Sequence, residues 1–187
     1  MHVISASQLS VSTQTSDKQL KILLREHFSN LPRRIDRLAW QTLLAAAPLT
    51  QHLVSSCGIY LATDYPSGDT MTGLLNSVCI QKLQPKPFEF VNSVSNAAGF
   101  YLAKQLDVQG PNVFISAGPQ VWQQLLQLAY CDLQAKNCQQ ALLIVCRGNE
   151  QVQLQAVLVQ NQHNQLLAAD SFAQLSSGLA VTQLVLD

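Results

Sequence analysis

The chain has 187 residues, enough for one domain with a buried core, and its 11 basic and 11 acidic side chains cancel. Charged residues make up only 12% of it, about half the usual share, whereas hydrophobic residues make up 48%. Because there is no basic excess to neutralise phosphates, nucleic acid is not an expected partner. Neutral amides cost less to desolvate than ions, so a surface with so little charge favours burial against another protein.

The five cysteines and four histidines show no spacing typical of a metal site or a disulfide framework. The N-terminus has no basic segment followed by an apolar one, and no stretch approaches the roughly 18 apolar residues that a membrane helix needs. We therefore expect a cytoplasmic protein with free thiols, no metal, no cofactor and no membrane span.

Helices and strands alternate along the first half of the chain. The spacing of leucines and other apolar residues predicts the helices, and Pro48 and a turn at 64–68 mark boundaries between elements. These are a short strand within residues 1–16, helices over 17–27 and 33–47, a buried strand over 57–63 and a helix over 69–78.

The second half continues the alternation after a proline-rich bend at 85–87. Helices are predicted over 94–106 and 120–136, and strands over 113–116, 141–146, 152–160 and 184–186. The runs 57–63 and 141–146 are apolar throughout, which is typical of strands covered on both faces. The pattern predicts a layered α/β domain.

Several motifs resemble the N-terminal half of β-ketoacyl synthases. The segment 90–99 (FVNSVSNAAG) is followed by Gly110-Pro111-Asn112 and a short strand, as in that family. Residues 33–39 (RRIDRLA) and 57–63 (CGIYLAT) resemble its upstream motifs, and the order holds over about residues 30–160. The resemblance implies a thiolase-like fold, layered α/β/α with a mixed sheet, in a single truncated ketosynthase-like domain over residues 1–187.

The position of the catalytic cysteine in this family is occupied by other residues here. Counting without gaps from Gly110 places Pro119 there, with Gln120 next to it. A condensing enzyme needs a thiolate at a helix N-terminus, and proline has no nucleophile. Cys131 lies about 18 Å further along the predicted helix and cannot replace it.

The histidine pair of the family belongs to a second half-domain, for which the sequence has no counterpart. The histidine of the C-terminal stretch, His163, lies in a predicted Asn/Gln-rich surface turn. With no nucleophile and no histidine pair, we expect no catalytic residues and no condensation activity.

As a synthase-like chain without the cysteine, this protein resembles the chain-length factors of type II polyketide systems. Its half size resembles the short chain-length factors of aryl polyene clusters. The resemblance implies a heterodimer with a catalytic ketosynthase, whose acyl tunnel this chain would help to form. It also implies that an acyl carrier protein is met through the complex. Chain-length factors often have Gln at the lost cysteine, one position from Gln120 here.

In this family the strand before the nucleophile turn pairs across a two-fold axis, and the matching strand here is Val113–Ser116. An unpaired strand edge is a liability that pairing removes. The expected interface or tunnel residues are Val91, Asn92, Val113, Phe114, Ser116 and Trp122. Core packing is the alternative for Trp122 and for Phe88 and Phe90, and helix-start capping is the alternative for Asn92 and Asn96.

Two other functions stay open at this point. A scaffold or carrier-protein docking module would need a basic patch, which only Arg33, Arg34 and Arg37 offer. An enzyme with unrecognised residues would use groups such as Cys57, Cys146 or His52, and would show a reactive thiol at neutral pH. Asp64 and Asp69 flank a Gly/Pro turn, where turn chemistry is favoured over a metal or acid pair.

Overall fold

The computed structural model describes residues 1–64, 67–148, 151–161 and 181–186; His163 and most of its predicted turn lie outside them. The strands are β1 (His2–Ser12), β2 (Cys57–Thr63), β3 (Asn112–Ser116), β4 (Gln140–Arg147), β5 (Gln151–Gln160) and β6 (Val181–Leu186). The helices are α1 (Asp17–Leu24), α2 (Arg37–Ala46), α3 (Gly68–Leu75), α4 (Pro87–Asn92), α5 (Ala97–Leu106) and α6 (Val121–Gln134). A 3₁₀ helix (Ala47–His52) extends α2, and a π-helical turn (Asn76–Ile80) extends α3.

The strands form one mixed sheet in the order β3-β2-β4-β5-β1-β6. β2 runs parallel to both β3 and β4, whereas β5 runs antiparallel to β4 and to β1. β6 runs parallel to β1 at the other end of the sheet. The predicted α/β class with a mixed sheet is therefore confirmed.

Helices cover both faces of the sheet, as predicted. One core lies under α1, α2 and α5, and the other lies under α6. Every residue of β2 is buried, and so is every residue of β4 except Arg147. Their unbroken apolar sequences follow from this position between two helical layers.

Three elements differ most from the sequence-based prediction, and the ends of several others shift by up to three residues. β1 is an 11-residue strand rather than a short strand and loop, because it pairs with β5 over its whole length. Residues 87–92 form the helix α4, with Pro87 at its first position, where the prediction had a bend over 85–87 and no helix between that bend and residue 94. α2 starts at Arg37 rather than at residue 33, since Asp36 caps it.

Asp36 joins the start of α2 to α3. Its Oδ1 accepts a hydrogen bond from the Leu38 backbone N–H at 2.8 Å, and its Oδ2 accepts one from the Thr70 hydroxyl. The side chain is buried, and burial raises the pKa of the carboxyl despite these two hydrogen bonds. Asp36 is thus both a helix cap and the buried link to the segment that contains α3.

We expect Asp36→Ala to lower the free energy of unfolding by about 1–2 kcal/mol, because it removes the α2 cap. Asp36→Asn keeps an acceptor for Leu38 and is expected to retain most of the stability. Because the pKa of Asp36 is raised in the folded state, ionisation disfavours folding. Wild type should therefore gain stability relative to Asp36→Asn as pH falls through that pKa.

Urea denaturation of the three proteins at several pH values between 4 and 7.5 measures both effects. Equal stability of Asp36→Ala and wild type at pH 7 would show that the cap contributes nothing. If the difference in free energy of unfolding between wild type and Asp36→Asn does not change with pH, the raised pKa of Asp36 is contradicted.

Candidate functional site at the open edge of the sheet

The turn that joins β3 to α6 contains Pro119 and Gln120, the two residues predicted to occupy the position of the lost nucleophile. Pro119 and Gln120 are exposed, and Gln120 is the N-cap residue of α6, although its side chain makes no cap hydrogen bond. The turn is held by the Ala117 N–H, which donates to the Thr63 carbonyl at 3.0 Å, and by Arg147, which donates to the Gly118 carbonyl. The structure thus places Pro119 and Gln120 together at the entrance to a helix, as the sequence predicted.

Strand β3 forms one end of the sheet, and among the described residues its outer edge has no partner strand. The Ile59 N–H donates to the Pro111 carbonyl at 2.7 Å, and the Ala117 N–H donates to Thr63. In a parallel ladder with this register, the N–H groups of Val113 and Ile115 point toward β2. The N–H groups of Phe114 and Ser116 therefore point to the open edge.

The side chains of β3 divide between the two cores. Val113 and Ile115 pack partly against the core under α6, whereas Phe114 packs partly against the core under α5. Ser116 is exposed at the end of the strand. The predicted interface residues of β3 therefore reach the edge mainly through their backbone, and the interface role of the side chains stays a prediction.

Trp122 is half-buried on the first turn of α6, where it packs against the core on that face. Its neighbours Gln123 and Gln124 are exposed, and so are Gln127 and Cys131 further along the outer face of α6. The core-packing alternative for Trp122 accounts for its buried part. The rest of the side chain is exposed, and its interface role stays a prediction.

The loop before β3 fits tightly against β2 and α5. A Cβ on Gly110 would lie 2.6 Å from the carbonyl carbon and oxygen of Cys57, so only glycine fits there. A Cβ on Gly99 would lie 2.5 Å from Oδ1 of Asn96 and 2.6 Å from Oδ1 of Asn112. Both glycines belong to the motifs that resemble the ketosynthase family, but these contacts could not be predicted from the motifs.

The predicted capping roles of Asn92 and Asn96 are wrong. Asn96 occupies the N-cap position of α5, but its side chain caps nothing, and its Nδ2 donates weakly to the Asn112 carbonyl at 3.5 Å. Asn92 ends α4 rather than starting a helix, and its Nδ2 donates to the Arg34 carbonyl at 2.8 Å. Asn92 is therefore buried as a link between α4 and the loop before α2.

A row of exposed apolar side chains, here called the apolar ridge, continues from the open edge across α5, α4 and α3. α5 contacts β3, α4 contacts α5, and α3 contacts α4. Phe90 is 62% exposed and Ile80 75% exposed. The ridge consists of Leu75, Ile80, Leu83, Phe88, Phe90, Val91, Val94 and Phe100.

Exposed apolar surface of this extent is typical of protein interfaces. Val91, predicted at an interface or tunnel, lies on the ridge and is 45% exposed. The Arg34 guanidinium lies 5.1 Å from the centre of the Phe88 ring, and both line a groove of about 910 Å³ beside α4. Because their elements contact one another in turn, the ridge and the open β3 edge are candidate parts of one interface.

The groups considered for an unrecognised enzyme do not come together. Burial raises the pKa of the Cys57 thiol to about 12 and that of the Cys146 thiol to about 12. His52 is exposed, with Gln51 as its side-chain neighbour. Thiols with such pKa values are neutral at pH 7 and poor nucleophiles.

Asp64 and Asp69 line a polar pocket of about 320 Å³ at the ends of β2 and β4, together with the buried Asp36. Asp69 lies in the first turn of α3, where a carboxylate interacts favourably with the helix dipole. Within the described ranges no three His, Cys, Asp or Glu side chains are grouped as metal ligands. The same part of the chain contains no helix long and apolar enough to span a bilayer.

No family model and no curated protein sequence matches this chain. Solved structures do match it. The ishigamide ketosynthase/chain length factor superposes with a TM-score of 0.61 at 16% identity, covering 73% of this chain and 47% of the other. The structure of the ketosynthase ApeO in complex with its chain length factor ApeC, from Xenorhabdus doucetiae, superposes with a TM-score of 0.63 at 15% identity. The match covers 86% of this chain and 78% of the other.

A ketosynthase of the bacillaene synthase of Bacillus amyloliquefaciens FZB42 gives a TM-score of 0.58 at 13% identity, covering 85% of this chain and 41% of that one. These similarities show that the chain has the thiolase-like fold of ketosynthases. It spans less than half of two of the three matched chains and 78% of the third. That third match is to a structure of a ketosynthase with its chain length factor.

The exposure of the thiols gives a direct test of the enzyme alternative. Cys79 and Cys131 are exposed, whereas Cys57, Cys138 and Cys146 are buried with raised pKa values. With Ellman's reagent at pH 8, we expect two thiols to react rapidly and three only after denaturation.

The double variant Cys79→Ser/Cys131→Ser is the control, and it should lack the rapid phase altogether. A thiol that still reacts rapidly in this variant would indicate an activated cysteine and would support the enzyme alternative.

Proposed function

We propose that this chain is a non-catalytic, chain-length-factor-like subunit that pairs with an active ketosynthase. The observation that carries the proposal is the open β3 edge beside the apolar ridge in a ketosynthase fold. A strand edge with free N–H and C=O groups next to exposed apolar side chains is costly in a lone protein, and burial against a partner relieves both liabilities.

The turn at Pro119 and Gln120 supports a role without condensation chemistry. It presents no nucleophile where a ketosynthase uses its cysteine, and the thiols of Cys57 and Cys146 are buried and neutral. A subunit of this kind contributes shape and contact area to its partner. The reaction itself then belongs to the partner.

The geometry of β3 favours pairing through the backbone. Phe114 and Ser116 direct their N–H groups outward, so an antiparallel strand from a related subunit could pair with them without disturbing β2. Val91 on the apolar ridge and the exposed part of Trp122 would flank that strand. In this proposal the two residues border the acyl tunnel of the partner, Asn92 positions α4 behind them, and an acyl carrier protein delivers its chain to the complex.

We expect co-expression with the ketosynthase encoded beside this chain to give a one-to-one complex in native mass spectrometry and gel filtration. Ser116→Pro removes one outward N–H but no bond to β2. We expect it to weaken the complex about tenfold or more, because an unpaired buried carbonyl on the partner costs about 1–3 kcal/mol. Edge positions tolerate proline, so the subunit should still fold.

Ser116→Ala is the matched control, since it changes the same exposed side chain and keeps the N–H; its affinity should equal that of wild type. Circular dichroism of each subunit checks folding. If the chain stays monomeric in the presence of every ketosynthase encoded near it, the proposal is contradicted. A complex that forms equally well with Ser116→Pro would place the interface away from β3.

A further inference from the structure

A basic pocket lies between the end of α1 and the loop that leads into α2, away from the open edge of the sheet. Its volume is about 370 Å³, and four cationic side chains line it: Lys21, Arg25, Arg33 and Arg34. No carboxylate is among the described residues that line it. In a chain with only 12% charged residues, four cations around one small concavity form a strong local concentration of positive charge.

These cations have no acidic partners in the part of the chain that the structure describes. The ion pairs there join Arg37 to Asp17 and Lys86 to Glu89. Lys21 instead lies 4.9 Å from the centre of the Trp40 ring, and Arg34 stacks on Phe88. Arg33, Arg34 and Arg37, predicted as one basic cluster, therefore separate: Arg37 pairs with Asp17, the Arg34 guanidinium lies over Phe88, and Arg33 lines this pocket.

Trp40 supplies the second observation. It is the one fully buried residue among those that line the pocket, with 1% of its surface exposed. Its indole Nε1 is buried, and none of the described residues accepts its hydrogen bond. Buried N–H donors are nearly always paired, so a lone one beside a basic pocket points to an acceptor that comes from outside the chain.

We propose that this pocket binds a phosphate-type oxyanion, either free phosphate or the phosphate of a small monoester. Guanidinium groups bind such oxygens through several N–H donors at once, and a phosphate group has enough oxygens to engage them and a neutral donor together. The Trp40 N–H supplies that neutral donor, while Arg25, Arg33 and Lys21 supply the charge. A small concave site with a buried donor suits a compact anion better than an acidic protein surface. The inference does not depend on the proposed function.

The test is a titration of the full ¹⁵N-labelled chain, alone or in its complex, with sodium phosphate at pH 7.5. Ionic strength is held constant with sodium chloride. The chain has two tryptophans, so the indole N–H signals of Trp40 and Trp122 can be assigned with Trp122→Phe. We expect the Trp40 signal to shift and saturate, and the Trp122 signal to stay in place. Glycerol 3-phosphate is the second probe: tighter binding than phosphate indicates a monoester ligand, and equal binding indicates that the phosphate group alone is recognised.

The variant Arg25→Gln/Arg33→Gln should weaken phosphate binding at least tenfold, since both side chains are exposed and their loss leaves the core intact. Lys18→Gln removes a charge from the same helix at a position that does not line the pocket, and should bind like wild type. A Trp40 signal that responds no more to phosphate than to chloride would overturn the proposal. Equal losses of phosphate affinity in Arg25→Gln/Arg33→Gln and in Lys18→Gln would also overturn it. A Trp40 signal that shifts with polyglutamate but not with phosphate would do the same.

Discussion

The structure depends on the close approach of the loop 109–112 to the start of β2. The Gly110 N–H donates to the Cys57 carbonyl at 3.1 Å, and the Ile59 N–H donates to the Pro111 carbonyl at 2.7 Å. A side chain on Gly110 would collide with the backbone of Cys57, so this contact exists only because the residue is glycine. It sets the register of β3 on β2, and the register in turn fixes where the chain turns into α6.

That register also decides which backbone groups face outward. Since β3 takes one side of β2 and β4 takes the other, the outer side of β3 is the side of this part of the sheet that no strand among the described residues covers. The outer face of α6 beside it is rich in glutamine, whereas the surface across α5, α4 and α3 is apolar. A partner is therefore favoured on the side of α5 and α4, and solvent is tolerated on much of α6.

Sequence patterns predicted the parts of the fold that local physics determines. The buried strand over 57–63 was predicted with its observed bounds, because an apolar run bounded by turn residues has few alternatives. The full length of β1 and the existence of the helix α4 were not predicted, since they depend on pairing with β5 and on packing against α3 and α5. The place of Pro119 and Gln120 between β3 and α6 was predicted from the pattern of the chain, whereas their assignment to the lost-nucleophile position rests on the resemblance. The basic pocket at Trp40 could not be predicted, because the sequence does not show which hydrogen-bond donor is buried without an acceptor.

The shortness of β3 has a thermodynamic consequence. A five-residue edge strand can make only a few backbone hydrogen bonds with a partner, each contributing about 1 kcal/mol net. Such bonds define orientation more than strength, so the free energy of association would come mainly from burying the apolar ridge. Because hydrophobic association weakens on cooling, a heterodimer built on this surface would be cold-sensitive. With so few charges at the contact, it would respond little to salt.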